Sequence, residues 1–272
     1  MYYASFATTG VSMLQLTPVE DVTLPELALY HKFRDSAFAS DESFIADSPK
    51  VVNLLLQSTL EIKSILATPA YYAQHEELIA RHDIPVLYVA EKSVLEVIAG
   101  VSMHHNCMMH AIKPSSHALE ALDAQVVMLD SIASSENIGL MARSAAALGI
   151  GSYVLPARGP HPFGRRALRV SMGYASRLKI HIYEDIFGTL AHLKSLGYTI
   201  IAAEITPDAR PLSSIEAPLK WVLLMGSEDK GISAEVLACC DAVVAIEMAP
   251  EVKSLNVGVA ASIMMYQLMH KA

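Results

Sequence analysis

Cysteine is scarce in this chain, and so is excess positive charge. The 272 residues include 3 cysteines, two of them adjacent at Cys239 and Cys240, and no C-x-x-C spacing. This excludes an even disulfide framework and a thiolate metal site, and it favours a reducing, cytoplasmic setting. No uncharged apolar run reaches the roughly 20 residues of a membrane span. The opening Met1-Tyr2-Tyr3-Ala4-Ser5-Phe6-Ala7 lacks the basic flank and continuous apolar stretch of a secretory signal. The glycine fingerprint G-x-G-x-x-G and the phosphate loop G-x-x-x-x-G-K-[ST] are also missing, which argues against a nicotinamide-dependent dehydrogenase and an NTPase. A cytoplasmic protein without membrane span or metal is expected.

The chain carries 20 Lys+Arg against 28 Asp+Glu, a net charge of −8. Residues 1–117 hold 7 basic against 13 acidic side chains, and residues 118–272 hold 13 against 15. Binding to a phosphate backbone rests on Lys and Arg, so the distribution tells more than the total. Between Asn137 and Tyr183 no acidic residue occurs, while Arg143, Arg158, Arg165, Arg166, Arg169, Arg177 and Lys179 all fall there. This is a local basic footprint. A solvated arginine-rich loop that binds nothing is the plain alternative.

With 53% hydrophobic residues, the chain can bury two cores of ordinary size. After a leader of about twenty residues, a helical stretch is expected over Pro25–Ser36, a short strand at Ser43–Ala46 and an apolar-periodic run at Val51–Ser58. Strand, helix and strand follow at Glu61–Leu66, Ala70–Arg81 and Val86–Val89, which makes residues 1–114 a small α/β unit. Lys113-Pro114-Ser115-Ser116 has linker composition. Residues 118–272 form the second domain. There Gln125–Leu129 reads as a buried strand, Ser134–Glu136 as a turn, Ile138–Leu148 as a helix closed by Gly149, and Ser152–Leu155 as a strand. Strands are expected at Lys179–Ile182, Thr199–Ala203, Trp221–Met225 and Ala242–Ile246, with helices at Phe187–Ser195, Ala234–Cys239 and from Leu255. The fold class is α/β with a mostly parallel sheet. The last helix is apolar on nearly every side, which predicts burial all round, either inside the domain or beneath a second subunit.

Three segments combine glycine with polar groups at strand ends, where open α/β sheets bind ligands. In Asn137-Ile138-Gly139-Leu140-Met141-Ala142-Arg143, Arg143 projects away from the apolar stripe Ile138, Met141, Ala145 and Leu148 and can clamp a phosphate. Asn137 can cap the helix or orient a substrate. In Gly226-Ser227-Glu228-Asp229-Lys230-Gly231 a buried strand breaks into a turn whose glycines let a ligand approach the backbone. In Ile246-Glu247-Met248-Ala249-Pro250-Glu251-Val252-Lys253-Ser254-Leu255-Asn256-Val257 a strand end feeds a loop and then a helix, with Ser254 and Asn256 as good caps. Each segment alone also reads as a surface arginine, an ordinary turn or a helix start. The histidines His104, His105 and His110 lack a carboxylate or cysteine to complete a metal site and read as ordinary strand residues.

The three segments, in this order and across most of residues 125–270, resemble the SpoU branch of the SPOUT RNA methyltransferases, whose motifs run N-x-G-x-x-x-R, G-x-E-x-x-G and I-P-M followed by S-L-N-V. Phe44–Val52 and His104–Pro114 are similar to the opening and closing strands of the L30-like substrate-binding domain of that family. The resemblance implies a deep trefoil knot that holds S-adenosyl-L-methionine, a homodimer with each site at the subunit interface, and methylation of a ribose 2′-hydroxyl in tRNA or rRNA. By the same resemblance the cofactor rests against the backbone of Gly226, Ile246, Met248 and Leu255. Arg143, with the substrate's phosphate, would help deprotonate the hydroxyl, while Asn137, Glu228, Ser254 and Asn256 hold the site in shape. Arg158, Arg165, Arg166 and Arg169 would meet RNA. Two positions depart from the family pattern: Glu247 stands in place of proline, adding a negative charge expected near the cofactor loop, and Asn106 stands where glycine is common. A catalytically silent relative that binds RNA or protein is the alternative.

Overall fold

Aliphatic strands build two sheets, one in each of two units, residues 1–113 and 114–272. The computed structural model describes residues 14–31, 42–102 and 105–271. In the first unit the elements are β1 (Thr17–Pro18), α1 (Ala28–His31), β2 (Ser43–Asp47), α2 (Pro49–Leu55), β3 (Ile62–Ala67), α3 (Pro69–Ile79), β4 (Val86–Val89), α4 (Lys92–Ala99) and β5 (Cys107–Ile112). The sheet order is β1-β4-β3-β5-β2. β4 runs parallel to β1 and β3, and β5 lies antiparallel between β3 and β2. The expected leader therefore ends in a strand, Thr17–Pro18, while residues 1–13 lie outside the described residues.

Two further expectations change here. Pro25–Leu27 is a 3-10 turn and the helix proper is Ala28–His31, the remainder of the expected helix lying outside the described residues. Helix α4 went unread in the sequence, although Leu95, Ile98 and Ala99 at helical spacing are its buried face. His104 lies outside the described residues. His110 Nε2 is 2.8 Å from Ser43 Oγ, as an ordinary strand histidine would be. Among the described residues no group of three or more His, Cys, Asp or Glu is placed to hold a metal ion, and no helix is long and apolar enough to cross a membrane.

The second unit contains β6 (Gln125–Leu129), α5 (Ser135–Ala147), β7 (Ser152–Pro156), α6 (Arg165–Val170), β8 (Lys179–Tyr183), α7 (Ile186–Ser195), β9 (Thr199–Ala203), β10 (Arg210–Pro211), β11 (Trp221–Met225), α8 (Ala234–Leu237), β12 (Ala242–Ala245) and α9 (Val257–His270). The seven-stranded sheet runs β10-β12-β9-β11-β6-β7-β8, and every pair is parallel. β6 and β11 are central, so both faces are covered and their runs Val126–Leu129 and Trp221–Leu224 are wholly buried. Val126, Met128, Val222 and Leu224 share one core with Leu190, Leu193 and Val236. Val127, Leu129 and Leu223 alternate with them and point to the opposite face.

Helix α5 starts one turn earlier than its apolar pattern suggests. Ser134, expected in a turn, is the cap, its Oγ accepting the Asn137 N–H at 3.2 Å. Asn137 is therefore not the cap: it lies inside the helix and is buried. Gly139 lets α6 approach, since a Cβ there would lie 2.5 Å from the Ala167 carbonyl oxygen. α5 also packs along α9, where Ser144 Oγ and Ser262 Oγ are 2.8 Å apart. Within its own chain helix α9 is not buried all round. Ala261, Met264, Met265 and Leu268 are buried, but Val259, Ile263 and Tyr266 are 43%, 40% and 56% exposed and form an uncovered apolar face.

Candidate functional site

The carboxyl ends of three adjacent parallel strands, β12, β9 and β11, open into a cleft of about 730 Å³. Its walls come from the turn after β11 (Gly226 to Gly231), from Ile246 and Met248 after β12, and from Lys253 to Val257 leading into α9. The second and third sequence segments thus face each other across one cavity. All four expected cofactor contacts, Gly226, Ile246, Met248 and Leu255, line it, as do Glu228, Ser254 and Asn256. The turn is tight: a Cβ on Gly226 would lie 2.6 Å from the Gly231 carbonyl carbon.

The first segment joins the other two through one amide. Asn137 Nδ2 donates to Glu228 Oε1 at 2.8 Å, and Asn137 Oδ1 accepts from Asn256 Nδ2 at 3.1 Å. Asn256 in turn caps α9, its Oδ1 accepting the N–H groups of Gly258 at 3.0 Å and Val259 at 3.2 Å. The Glu228 carboxylate also accepts the Ala133 N–H at 3.1 Å and, more weakly, that of Ser134 at 3.4 Å. Partial burial works to raise the pKa of Glu228. The hydrogen bonds from Asn137 and from these backbone groups outweigh it together and hold the carboxyl below its ordinary range. Ser254 is exposed on the cleft wall and is not the cap of α9.

Arg143 is exposed on α5 and lies outside the cleft of its own chain. Arg158 is exposed after β7. Within the segment read as a possible arginine-rich loop, Arg165–Val170 forms α6, with Arg166 exposed and Arg165 and Arg169 half-buried. Arg166 pairs with Glu136 in the first turn of α5, its Nε donating at 3.0 Å. Glu247 is exposed and not part of the lining, because its neighbours Ile246 and Met248 point into the cleft and it points away. Its Oε1 accepts the Ser213 N–H at 3.2 Å. Hydrogen bonding from the Ser213 side chain and from backbone groups holds its carboxyl below the ordinary range. The negative charge expected near the cofactor loop is thus spent outside it. Sequence reasoning missed Glu204, Lys253 and Met264, all of which line the cleft. Glu204 directly follows β9, so its place at a parallel-strand end was the available signal.

Known proteins resemble this chain in sequence and in fold. The model of the SpoU rRNA Methylase family matches residues 124–266. An uncharacterized tRNA/rRNA methyltransferase of Archaeoglobus fulgidus is 34% identical over 143 residues, 53% of this chain and 63% of that protein. The 23S rRNA (guanosine-2′-O-)-methyltransferase RlmB of Acinetobacter baylyi is 28% identical over 188 residues, 65% of this chain and 75% of that one. The chain thus spans less than two thirds of the first relative's length. Among solved structures, the AdoMet-bound rRNA methyltransferase of Sinorhizobium meliloti superposes with a TM-score of 0.81 at 22% identity, covering 94% of this chain and 98% of that one. The fold is theirs, and with the family model matching more than half of its length, the chain belongs to the SpoU rRNA methylase family.

Proposed function

We propose that this protein is a cytoplasmic, S-adenosyl-L-methionine-dependent methyltransferase acting on a ribose 2′-hydroxyl of tRNA or rRNA. The observation that carries the reading is the Asn256–Asn137–Glu228 chain of hydrogen bonds, which ties three distant segments together beside a strand-end cleft. The lining suits such a cofactor. Ile246, Met248, Leu255 and Met264 offer apolar walls for a purine, while Lys253 brings a positive charge for the methionyl carboxylate. The volume lies within the roughly 300–1,000 Å³ of small-molecule pockets. On this reading Ile246 to Asn256 belongs to a deep trefoil knot, and residues 1–114 are an L30-like substrate platform ahead of a methyltransferase domain over residues 118–272.

When bound, the cofactor supplies an electrophilic methyl group. The chain's own residues prepare the nucleophile and the pocket. Guanidinium stays protonated, so Arg143 steers a phosphate oxygen of the RNA toward the hydroxyl proton and stabilises the negative charge that develops on O2′. Asn137, Glu228, Ser254 and Asn256 keep the cleft walls in register, and Arg158, Arg165, Arg166 and Arg169 contact RNA phosphates. Arg143 lies outside its own chain's cleft, which fits a homodimer whose second subunit completes each site. The exposed Val259, Ile263 and Tyr266 face of α9 is the surface that such a partner would cover. Because Glu247 points away from the cleft, its charge no longer argues for a catalytically silent relative.

The test is incubation of the protein with radiolabelled S-adenosylmethionine and total RNA from cells lacking its gene, followed by nucleoside analysis. Label in 2′-O-methylated nucleosides is expected. Cofactor binding without any transfer to RNA would overturn the assigned reaction.

A further inference from the structure

Glu204 lines the cleft yet lies in none of the three segments, and the functions assigned above to the segment residues do not use its carboxylate oxygens. It stands at the carboxyl end of β9, between the ends of β11 and β12. Its Oε1 accepts the Ile205 N–H at 3.0 Å and its Oε2 accepts the Ile232 N–H at 2.8 Å. An ionised carboxylate offers about four acceptor sites and no donor, so about one site stays open on each oxygen. The two backbone anchors fix the plane of the group. Gly231 makes room for it: its φ is +65°, and a Cβ there would lie 2.2 Å from Glu204 Oε2. The second glycine of the turn is thus demanded by the carboxylate as well as by the backbone.

Resting on the cofactor reading above, we propose that Glu204 reads the ribose of bound S-adenosylmethionine, accepting hydrogen bonds from its 2′- and 3′-hydroxyls. A vicinal diol presents two O–H donors side by side, the complement of a fixed carboxylate with one open site per oxygen. The side chains of Ile246, Met248 and Met264 offer no acceptor stronger than a thioether sulfur, and the Glu228 carboxylate is engaged by Asn137 and Ala133. Preorganised acceptors of this kind reject an analogue that lacks the hydroxyl, because the anchored carboxylate is then left without its partner.

Calorimetry of the full chain with S-adenosylhomocysteine and its 2′-deoxy and 3′-deoxy counterparts tests this without relying on turnover. The wild type is expected to bind the ribo form at least about tenfold more tightly than either deoxy form. Glu204→Gln keeps an acceptor for the Ile232 N–H, with thermal melting as the check on folding. It should weaken ribo binding and shrink the ribo-to-deoxy ratio toward unity. Equal affinity of the wild type for all three ligands, or an undiminished ratio in Glu204→Gln, overturns the assignment and leaves the cofactor reading standing. Failure of the wild type to bind any of the three overturns both.

Discussion

Asn137 and Glu228, 91 residues apart in the chain, share a 2.8 Å hydrogen bond in which the amide donates to the carboxylate. The same amide accepts from Asn256 on its other side. The bland reading of these residues, that each serves its own helix or turn, holds only for Asn256, which also caps α9. A side-chain amide carries a donor and an acceptor on one planar group, so it can donate to a carboxylate and accept from a second amide at once.

Asn137→Asp removes the donor and sets a second carboxyl against Glu228. Loss of methyl transfer is expected, together with a fall of about 1–3 kcal/mol in unfolding free energy. Urea denaturation and the labelled-transfer assay measure the two effects, and a fully active Asn137→Asp would show that the network is dispensable.

Glu228 makes stability depend on acid. Its folded-state carboxyl titrates below the unfolded value, so its contribution is complete above the ordinary carboxylate range. The contribution is lost as pH falls through that range to the folded-state pKa. Glu228→Gln should be less stable than wild type at neutral pH, and the difference should close on acidification. Parallel stability–pH profiles for the two proteins would contradict this.

Gly139→Ala places a methyl group 2.5 Å from the Ala167 carbonyl oxygen and 2.9 Å from Val170 Cβ. The contact on α6 is backbone, so the helices must separate, at a cost of about 1–3 kcal/mol. A drop in chemical-denaturation midpoint at unchanged slope is the expected signature.

Arg143→Ala should leave folding within about 0.5 kcal/mol, because the side chain is exposed. Cofactor affinity should also persist, since Arg143 does not line the cleft. The turnover number is expected to fall by about 100-fold or more. Unchanged turnover in single-turnover kinetics would remove the proposed role.

Ile263→Glu puts a charge on the exposed face of α9, where Ile263 is 40% accessible. The variant is expected to fold and to run as a monomer in light scattering, with the wild type at twice the mass. A wild type that is itself monomeric would argue against the completed-by-partner site.

Much of the second unit was legible in the sequence because its physics is local. The β6 and β11 strands are unbroken aliphatic runs, as strands buried on both faces must be, and they fall where the sequence places them. Helix α6 was not legible: Arg165-Arg166-Ala167-Leu168-Arg169-Val170 buries only Ala167 and Leu168, too little for a period to show. What α6 supplies instead is a backbone surface for Gly139 on α5, a contact with no trace in the order of residues.

The candidate site divides in the same way. The resemblance of three sequence segments to the SpoU motifs singled out Asn137, Gly226, Glu228, Ile246, Met248, Leu255 and Asn256, since the order and spacing of motifs are properties of the chain alone. Only the tertiary structure decided that one amide bridges three segments, that Glu247 turns away to Ser213, and that Glu204 enters the cleft. The reason is directional. Which way a side chain points at a strand end, and which partner comes within about 3 Å of it, depend on the order of strands in the sheet, and the parallel order β12-β9-β11 joins residues that the sequence keeps far apart.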